Sequence, residues 1–147
     1  MTSEQLEPSY PKGEMGRLIQ NRDWSKTPLG PIEQWPETFS NLVNLILEIK
    51  IPILICWGEE LISIYNDAYR PLLGDDPEVF GEPFRKISSK ARKIVEPQIN
   101  QVLTTGQPVL INNVKFPVLR GKKPETAWFD YSYSPIRDTK GNIMGII

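Results

Sequence analysis

The sequence predicts an α+β fold, in which helical segments and antiparallel strands occupy separate stretches of the chain. Two short apolar runs flank a loop that contains glycine, which is the pattern of a β-hairpin. Helical periodicity appears before this hairpin and again after it. Strand-like segments then follow one another to the end, so the order is helix, two strands, helices and three strands. Such segregation is typical of α+β domains.

The composition is that of one folded domain. The chain has 147 residues, enough to bury a core. Its formal charge of −1 gives no field that would attract nucleic acid or anionic lipid. The only cysteine, Cys56, excludes an intrachain disulfide and suits a reducing compartment. No secretory signal is visible, and the most apolar window, Leu45–Trp57, is too short to span a bilayer. We therefore expect a cytoplasmic location.

The complete lack of histidine excludes several kinds of site from this chain. It excludes His-ligated haem, His-containing zinc sites, Ser-His-Asp triads and phosphorylation on histidine. The adjacent acids Glu59–Glu60 and Asp75–Asp76 lie in turns, where such residues usually face water. We therefore expect neither metal binding nor catalysis in this chain.

Residues 1–35 are expected to form an N-terminal extension, followed by the domain proper at 36–147. The first 14 residues lack periodicity, so we expect them to be mobile. The prolines that follow exclude long helices. Trp24 and Trp35 are nevertheless too apolar for an unstructured tail, so we expect an ordered strap whose tryptophans pack on the domain body.

Residues Glu37–Lys50 are predicted to form a helix. The apolar residues recur at helical spacing, at Phe39, Leu42, Val43, Ile46 and Leu47. Leu45 and Ile49 widen the apolar arc beyond one core face. Two alternatives follow: a helix that simply packs against a sheet, or a helix with a second apolar edge for a dimer partner.

The predicted hairpin consists of Ile53–Trp57 and Leu61–Tyr65. A hairpin of this size cannot bury its faces alone, so it belongs to a larger sheet. Asn66 can cap a short helix that Gly74 ends.

The rest of the chain alternates between helical turns, a helix and strands. We expect helical turns over Asp75–Ile87. Ser88–Thr104 is predicted to be a helix, with a kink or a new start at Pro97. The predicted strands are Val109–Val118, Thr126–Ile136 and Asn142–Ile147, with turns at Arg120–Pro124 and Asp138–Gly141.

Four segments in order resemble one known family. They read DWSKTPLGPIEQWP (Asp23–Pro36), YNDAYRPLLG (Tyr65–Gly74), VLTTGQPV (Val102–Val109) and FDYSYSPIRDTKGNIMGII (Phe129–Ile147). The chain thus resembles PAS domains, and in particular the N-terminal PAS domains of bacterial sensor histidine kinases. The resemblance implies a five-stranded antiparallel sheet with helices over one face and a small pocket between them.

The sequence departs from these relatives in two places. Residues Phe84–Val95 are polar and basic where the relatives usually carry tryptophans and acidic residues. The last strand of a PAS domain normally continues into a signalling helix, whereas here the sequence ends at Ile147. We therefore expect a truncated last strand and a fragment of a longer protein.

Aromatic side chains are the candidate lining of the pocket, although core packing alone would also explain them. In strand Thr126–Ile136, alternate residues share a face, so Trp128 lies on one face and Phe129, Tyr131 and Tyr133 lie on the other. Either face could be turned to the pocket. The candidates are Tyr65, Tyr69, Phe84, Phe116, Trp128, Phe129, Tyr131 and Tyr133.

Two further features have a functional and a structural interpretation. Cys56 lies in an apolar strand and is expected to fill the core, since the flavin-adduct motif of photoreceptor PAS domains is absent. A basic run comprises Arg85, Lys86, Lys90, Arg92 and Lys93, of which Lys86, Lys90 and Lys93 would share a helical face. It is either a solvated face or a site that meets an anionic ligand.

The resemblance implies a sensory module. In that interpretation the chain is the input domain of a histidine kinase in a two-component system, forms a homodimer, and passes a signal to an output kinase domain. The full protein would be a transferase, and a small molecule would bind in the pocket. The alternative is a dimerisation or protein-interaction module with no ligand; an enzyme is the third and weakest hypothesis.

Overall fold

A computed structural model describes residues 13–73, 79–120 and 123–147. The expected mobility of the first residues, the stop at Gly74, the acids Asp75–Asp76 and the tip of the 120–124 turn lie outside the described residues. The helices are α1 (Glu14–Asn21), α2 (Glu37–Glu48) and α3 (Ser89–Thr105). The strands are β1 (Leu54–Trp57), β2 (Ile62–Tyr65), β3 (Val109–Arg120), β4 (Lys123–Tyr133), β5 (Pro135–Arg137) and β6 (Ile143–Ile146).

The described strands all pair in antiparallel fashion, and one long predicted strand is divided in two. Four strands pair in the order β2-β1-β6-β5, and β3 pairs with β4. The predicted strand Thr126–Ile136 is divided at Ser134, where its pairing passes from β3 to the C-terminal end of the chain. Ser134 exchanges both backbone hydrogen bonds with Ile147, each 2.9 Å long. The α+β class is as predicted, although the strand count differs.

Helices cover both faces of the hairpin β1–β2. Neighbouring residues of a strand point to opposite faces. Trp57 stacks on Phe39 of α2, with ring centroids 4.6 Å apart. Cys56, one residue earlier, packs instead with Val95 and Ile99 of α3. Helix α2 thus lies on the face of the hairpin opposite to α3.

The predicted strap is part of the core. Trp24 and Trp35 are only 2% and 6% exposed, which confirms the expected packing of the tryptophans. Their rings meet edge to face with centroids 5.2 Å apart. Arg22 fastens the strap by donating to the carbonyl of Phe80 at 2.7 Å and to Glu82 at 3.2 Å. Helix α1, which the sequence did not predict, contributes Met15 and Ile19 to the same core.

Asn66 does more than the predicted capping. Its side chain is fully buried and lies between the end of α2 and the start of β1. The residues after it form a turn and a short 3₁₀ helix, Arg70–Leu73, rather than an α-helix. The side-chain oxygen accepts from the backbone amides of Ile53 and Tyr69. The side-chain nitrogen lies within 3.0 Å of the backbone carbonyl oxygens of Ile46, Ile49 and Ile51.

Helix α3 differs from the predicted Ser88–Thr104 by one residue at each end. Ser88 accepts from the amide of Ala91 at the N-terminus, and Gly106 adopts a left-handed conformation (φ 67°) after the last turn. The helix continues through Pro97 and does not start again there. Pro97 is exposed, so the carbonyl left without an amide partner can face water.

Candidate ligand cavity

A partly open cavity of about 610 Å³ lies between β1–β2, α3 and the hairpin β3–β4. The segment 81–84 helps to close it. Gly81 donates to the carbonyl of Ser63 at 2.7 Å and Phe84 to that of Leu61 at 2.9 Å, so the segment runs along the free edge of β2. This pairing brings the buried ring of Phe84 to the cavity.

The structure brings most of the predicted pocket residues together. Those that line the cavity are Tyr65, Tyr69, Phe84, Phe116, Phe129, Tyr131 and Tyr133. Tyr65 and Tyr69 come from β2 and the turn after it, whereas Phe116, Tyr131 and Tyr133 come from the β3–β4 hairpin. Two distant parts of the sequence therefore build opposite sides of one cavity.

Trp128 does not belong to the cavity, contrary to the expectation. Its side chain is 64% exposed on the outer face of β4. The reason is that successive side chains of a strand point to opposite faces. Phe129, Tyr131 and Tyr133 share the face turned to the cavity, so Trp128 lies on the other face. The structure thus decides which face of the strand is turned to the cavity.

Part of the wall was missed by the sequence analysis. Val95 and Ala91 of α3 line the cavity, as do Leu54 and Ile87. Val95, Ile99 and Val102 are buried at positions i, i+4 and i+7 of the helix. That spacing was a signal in the sequence, but the basic residues around Val95 obscured it.

The hydroxyl of Tyr65 has no hydrogen-bond partner among the described residues, and its side chain is fully buried. Ser63 lies two residues earlier on the same face of β2, where its hydroxyl neighbours the thiol of Cys56. The hydroxyl of Tyr131, by contrast, donates to the side-chain oxygen of Gln98 on α3.

Burial keeps the tyrosines of the cavity and the neighbouring thiol of Cys56 uncharged at neutral pH. Burial raises the pKa of the Cys56 thiol to about 12. Burial also raises the pKa values of Tyr69, Tyr131 and Tyr133 above the ordinary value of 10.0. Repulsion among the ionised forms of Tyr69, Tyr131 and Cys56 adds to this effect for Tyr69, and repulsion from all three adds to it for Tyr133. The buried Cys56 also fits the predicted role of a core residue.

The basic run near the cavity mouth is largely paired with acids. Lys86 binds Glu82 at 3.0 Å, and Arg85 forms an ion pair with Glu60. Lys86 does not share a helical face with Lys90 and Lys93, because it belongs to a 3₁₀ turn that ends before α3 begins. Of the charged residues, Lys86 and Asp130 border the cavity among the described residues, and both are exposed.

Within the described ranges, no group of three or more Cys, Asp or Glu residues is placed to hold a metal ion. No described helix has both the length and the apolar character needed to cross a bilayer.

No protein-family model and no curated protein matches this sequence. Solved structures do match. VqmA bound to DPO is 18% identical with a TM-score of 0.51, over 74% of this chain and 54% of that chain. An RNA-binding Light-Oxygen-Voltage receptor is 18% identical with a TM-score of 0.52, over 82% of this chain and 34% of that chain. The chain thus spans about half and about a third of these proteins. The similarity shows that it has a PAS-type fold.

Proposed function

We propose that this chain is a sensory, regulatory domain that responds to a small molecule bound in the cavity. The observation that carries the proposal is the cavity itself. Its volume of about 610 Å³ falls within the roughly 300–1,000 Å³ of small-molecule sites. Apolar and aromatic side chains with a few polar groups line it, as in such sites. The solved structure of VqmA bound to DPO supports the proposal, since a protein of similar fold is bound there to another molecule.

The proposed mechanism is a population shift between two packings of α3 on the sheet. A molecule in the cavity would contact Val95 on α3 and Tyr133 on β4 at the same time. It favours the packing in which both contacts are good, and it shifts the equilibrium only by its difference in affinity for the two states. β6 pairs with β1 and β5, next to this contact region. A change in packing there would reach the C-terminal end of the chain.

The resemblance of four sequence segments to sensor histidine kinases supports a more specific role. In this role the chain is the non-catalytic, cytoplasmic input module of a homodimeric histidine kinase in a two-component system. The test is autophosphorylation of the full-length protein with and without the molecule that the cavity retains. An unchanged rate would reject the kinase role and leave ligand binding intact.

The ligand-binding proposal is tested by native mass spectrometry of the freshly purified chain, followed by thermal-shift titration with any retained molecule. Ala91→Leu adds volume inside the cavity, whereas Lys90→Leu adds the same side chain to the exposed face of α3. We expect the first variant to lose the ligand and the second to keep it. Equal retention by both would contradict a site in this cavity.

Exposed apolar side chains favour a second candidate, a dimerisation or protein-interaction module. Leu45 on α2 is 56% exposed, while Leu110 and Trp128 on the outer face of β3–β4 are 70% and 64% exposed. Size-exclusion chromatography with light scattering gives the oligomeric state. If α2 is the contact, Leu45→Glu should convert a dimer to a monomer, with Trp128→Lys as the matched change on the sheet face. A dimer that survives Leu45→Glu would exclude α2 as the contact.

A further inference from the structure

One buried hydroxyl group without a partner points to the kind of molecule that the cavity takes. Buried polar groups in folded proteins nearly always have a hydrogen-bond partner, and an exception calls for an explanation. The hydroxyl of Tyr65 has none among the described residues, and Tyr65 lines the cavity. Leaving such a group unpaired is costly. A bound molecule with a hydrogen-bonding group would remove that cost.

The position of the Tyr65 side chain is fixed by its neighbours. Tyr65 pairs with Leu54 across the β1–β2 ladder. Its ring is held by Tyr69 and Phe80, with centroids 5.2 and 5.1 Å away. Tyr65, which lines the cavity, is therefore held in place before any molecule binds.

The electrostatics of the cavity oppose a charged molecule. The charged side chains that border it among the described residues, Lys86 and Asp130, are exposed and already engaged. Lys86 binds Glu82, and Asp130 accepts from the amide of Asn113 at 2.8 Å. The tyrosines deeper in the cavity remain neutral near pH 7, as shown above. A buried carboxylate there would have no cation to pair with, and burying an unpaired charge is very unfavourable.

We propose that the cavity selects an uncharged, largely apolar molecule with one group that hydrogen-bonds to the Tyr65 hydroxyl, and that it rejects the corresponding carboxylate. This inference rests on the proposed function, since it names the class of ligand for the same cavity. It also decides between the two interpretations of the basic run in favour of a solvated face.

Three aromatic probes of similar shape test the selection. They are 2-naphthol, naphthalene and 2-naphthoate, titrated into the purified chain at pH 7 with protein NMR as the readout. We expect 2-naphthol to shift the signals of cavity residues such as Val95 and Ala91. We expect 2-naphthoate to bind on the order of 100-fold more weakly, because its charge would be buried without a partner.

Tyr65→Phe tests the hydrogen bond separately from the shape of the cavity. The variant should weaken 2-naphthol binding by about 2- to 10-fold, the usual value of one hydrogen bond, and leave naphthalene binding unchanged. Urea denaturation checks that the variant is folded. Thr105→Val is the control, since it removes an exposed hydroxyl group that bonds to Gln101 within α3, away from the cavity, and should leave the preference for 2-naphthol intact.

The outcomes separate the inference from the proposed function. Binding of 2-naphthoate as tight as that of 2-naphthol would overturn the inference while confirming a ligand site. An unchanged preference for 2-naphthol over naphthalene in Tyr65→Phe would also overturn it. If none of the probes binds and no retained molecule is found, the proposed function fails, and the inference fails with it.

Discussion

The carboxylate of Asp67 caps a helix that begins 53 residues earlier in the chain, accepting from the amide of Glu14 at 3.3 Å and from that of Met15 at 2.8 Å. Helix α1 has no capping side chain of its own. Gly13 permits the close approach, because a Cβ atom at this position would lie 2.5 Å from a carboxylate oxygen of Asp67. The N-terminal segment is thus bonded directly to the turn after β2.

Replacing Asp67 should therefore loosen α1. We expect Asp67→Ala to lower the free energy of unfolding by about 1 kcal/mol, the usual cost of a lost N-cap. Asp67→Asn keeps an acceptor oxygen and should lose less than half of that. Urea denaturation of the three proteins gives the comparison. Equal losses in both variants would mean that the negative charge, rather than the acceptor, is what matters.

Asn66 should be far less tolerant of substitution than its neighbour. Asn66→Ala removes the buried amide described above and leaves carbonyls at the end of α2 unpaired, so we expect a loss of about 3 kcal/mol or more. Asn142 also makes side-chain hydrogen bonds, but it is exposed. Asn142→Ala should cost about 0.5 kcal/mol. Similar values for the two variants in urea denaturation would show that the Asn66 contacts contribute little.

The chain offers a matched pair of tryptophans for testing the role of the N-terminal segment. Trp35 is 6% exposed and packs on Phe39, with ring centroids 4.8 Å apart, whereas Trp128 is 64% exposed. Trp35→Ala should destabilise the fold by about 3–5 kcal/mol, as buried aromatic truncations do. Trp128→Ala should change stability by less than about 0.5 kcal/mol. A small effect at Trp35 would show that the strap is not needed for the core.

The buried thiol makes stability depend on pH in the alkaline range. The unfolded chain releases the Cys56 proton near 9.0, whereas the pKa of the folded thiol is about 12. Between these values the unfolded state binds fewer protons than the folded state, so stability falls as pH rises, by on the order of 1 kcal/mol per pH unit. Urea denaturation at pH 8, 9 and 10 should show this fall. Cys56→Ala should make it shallower, and an identical slope would contradict the burial of the thiol.

Much of the fold could be predicted because the relevant signals are local. Helix α2 follows from the spacing of Phe39, Val43 and Ile46, and α3 was predicted to within one residue at each end. The hairpin β1–β2 follows from two apolar runs around a short loop. In each case, neighbouring residues contain the information that decides the structure.

The features that were missed depend on contacts between distant residues. Helix α1 has 8 residues and relies on Asp67 for its cap, so its own sequence gave only a weak signal. The inward face of β4 could not be chosen, because both faces carry an aromatic side chain and the choice depends on where α3 packs. The ion pair of Arg85 with Glu60 joins separate loops in the same way.

Three consecutive residues at the end of β2 serve three different parts of the protein. Tyr65 forms part of the cavity wall, Asn66 binds the end of α2, and Asp67 binds the start of α1. A backbone displacement of this tripeptide would strain both helix ends at once. A single short stretch of main chain thus links the cavity wall to helices α1 and α2, independently of any route through the last strand.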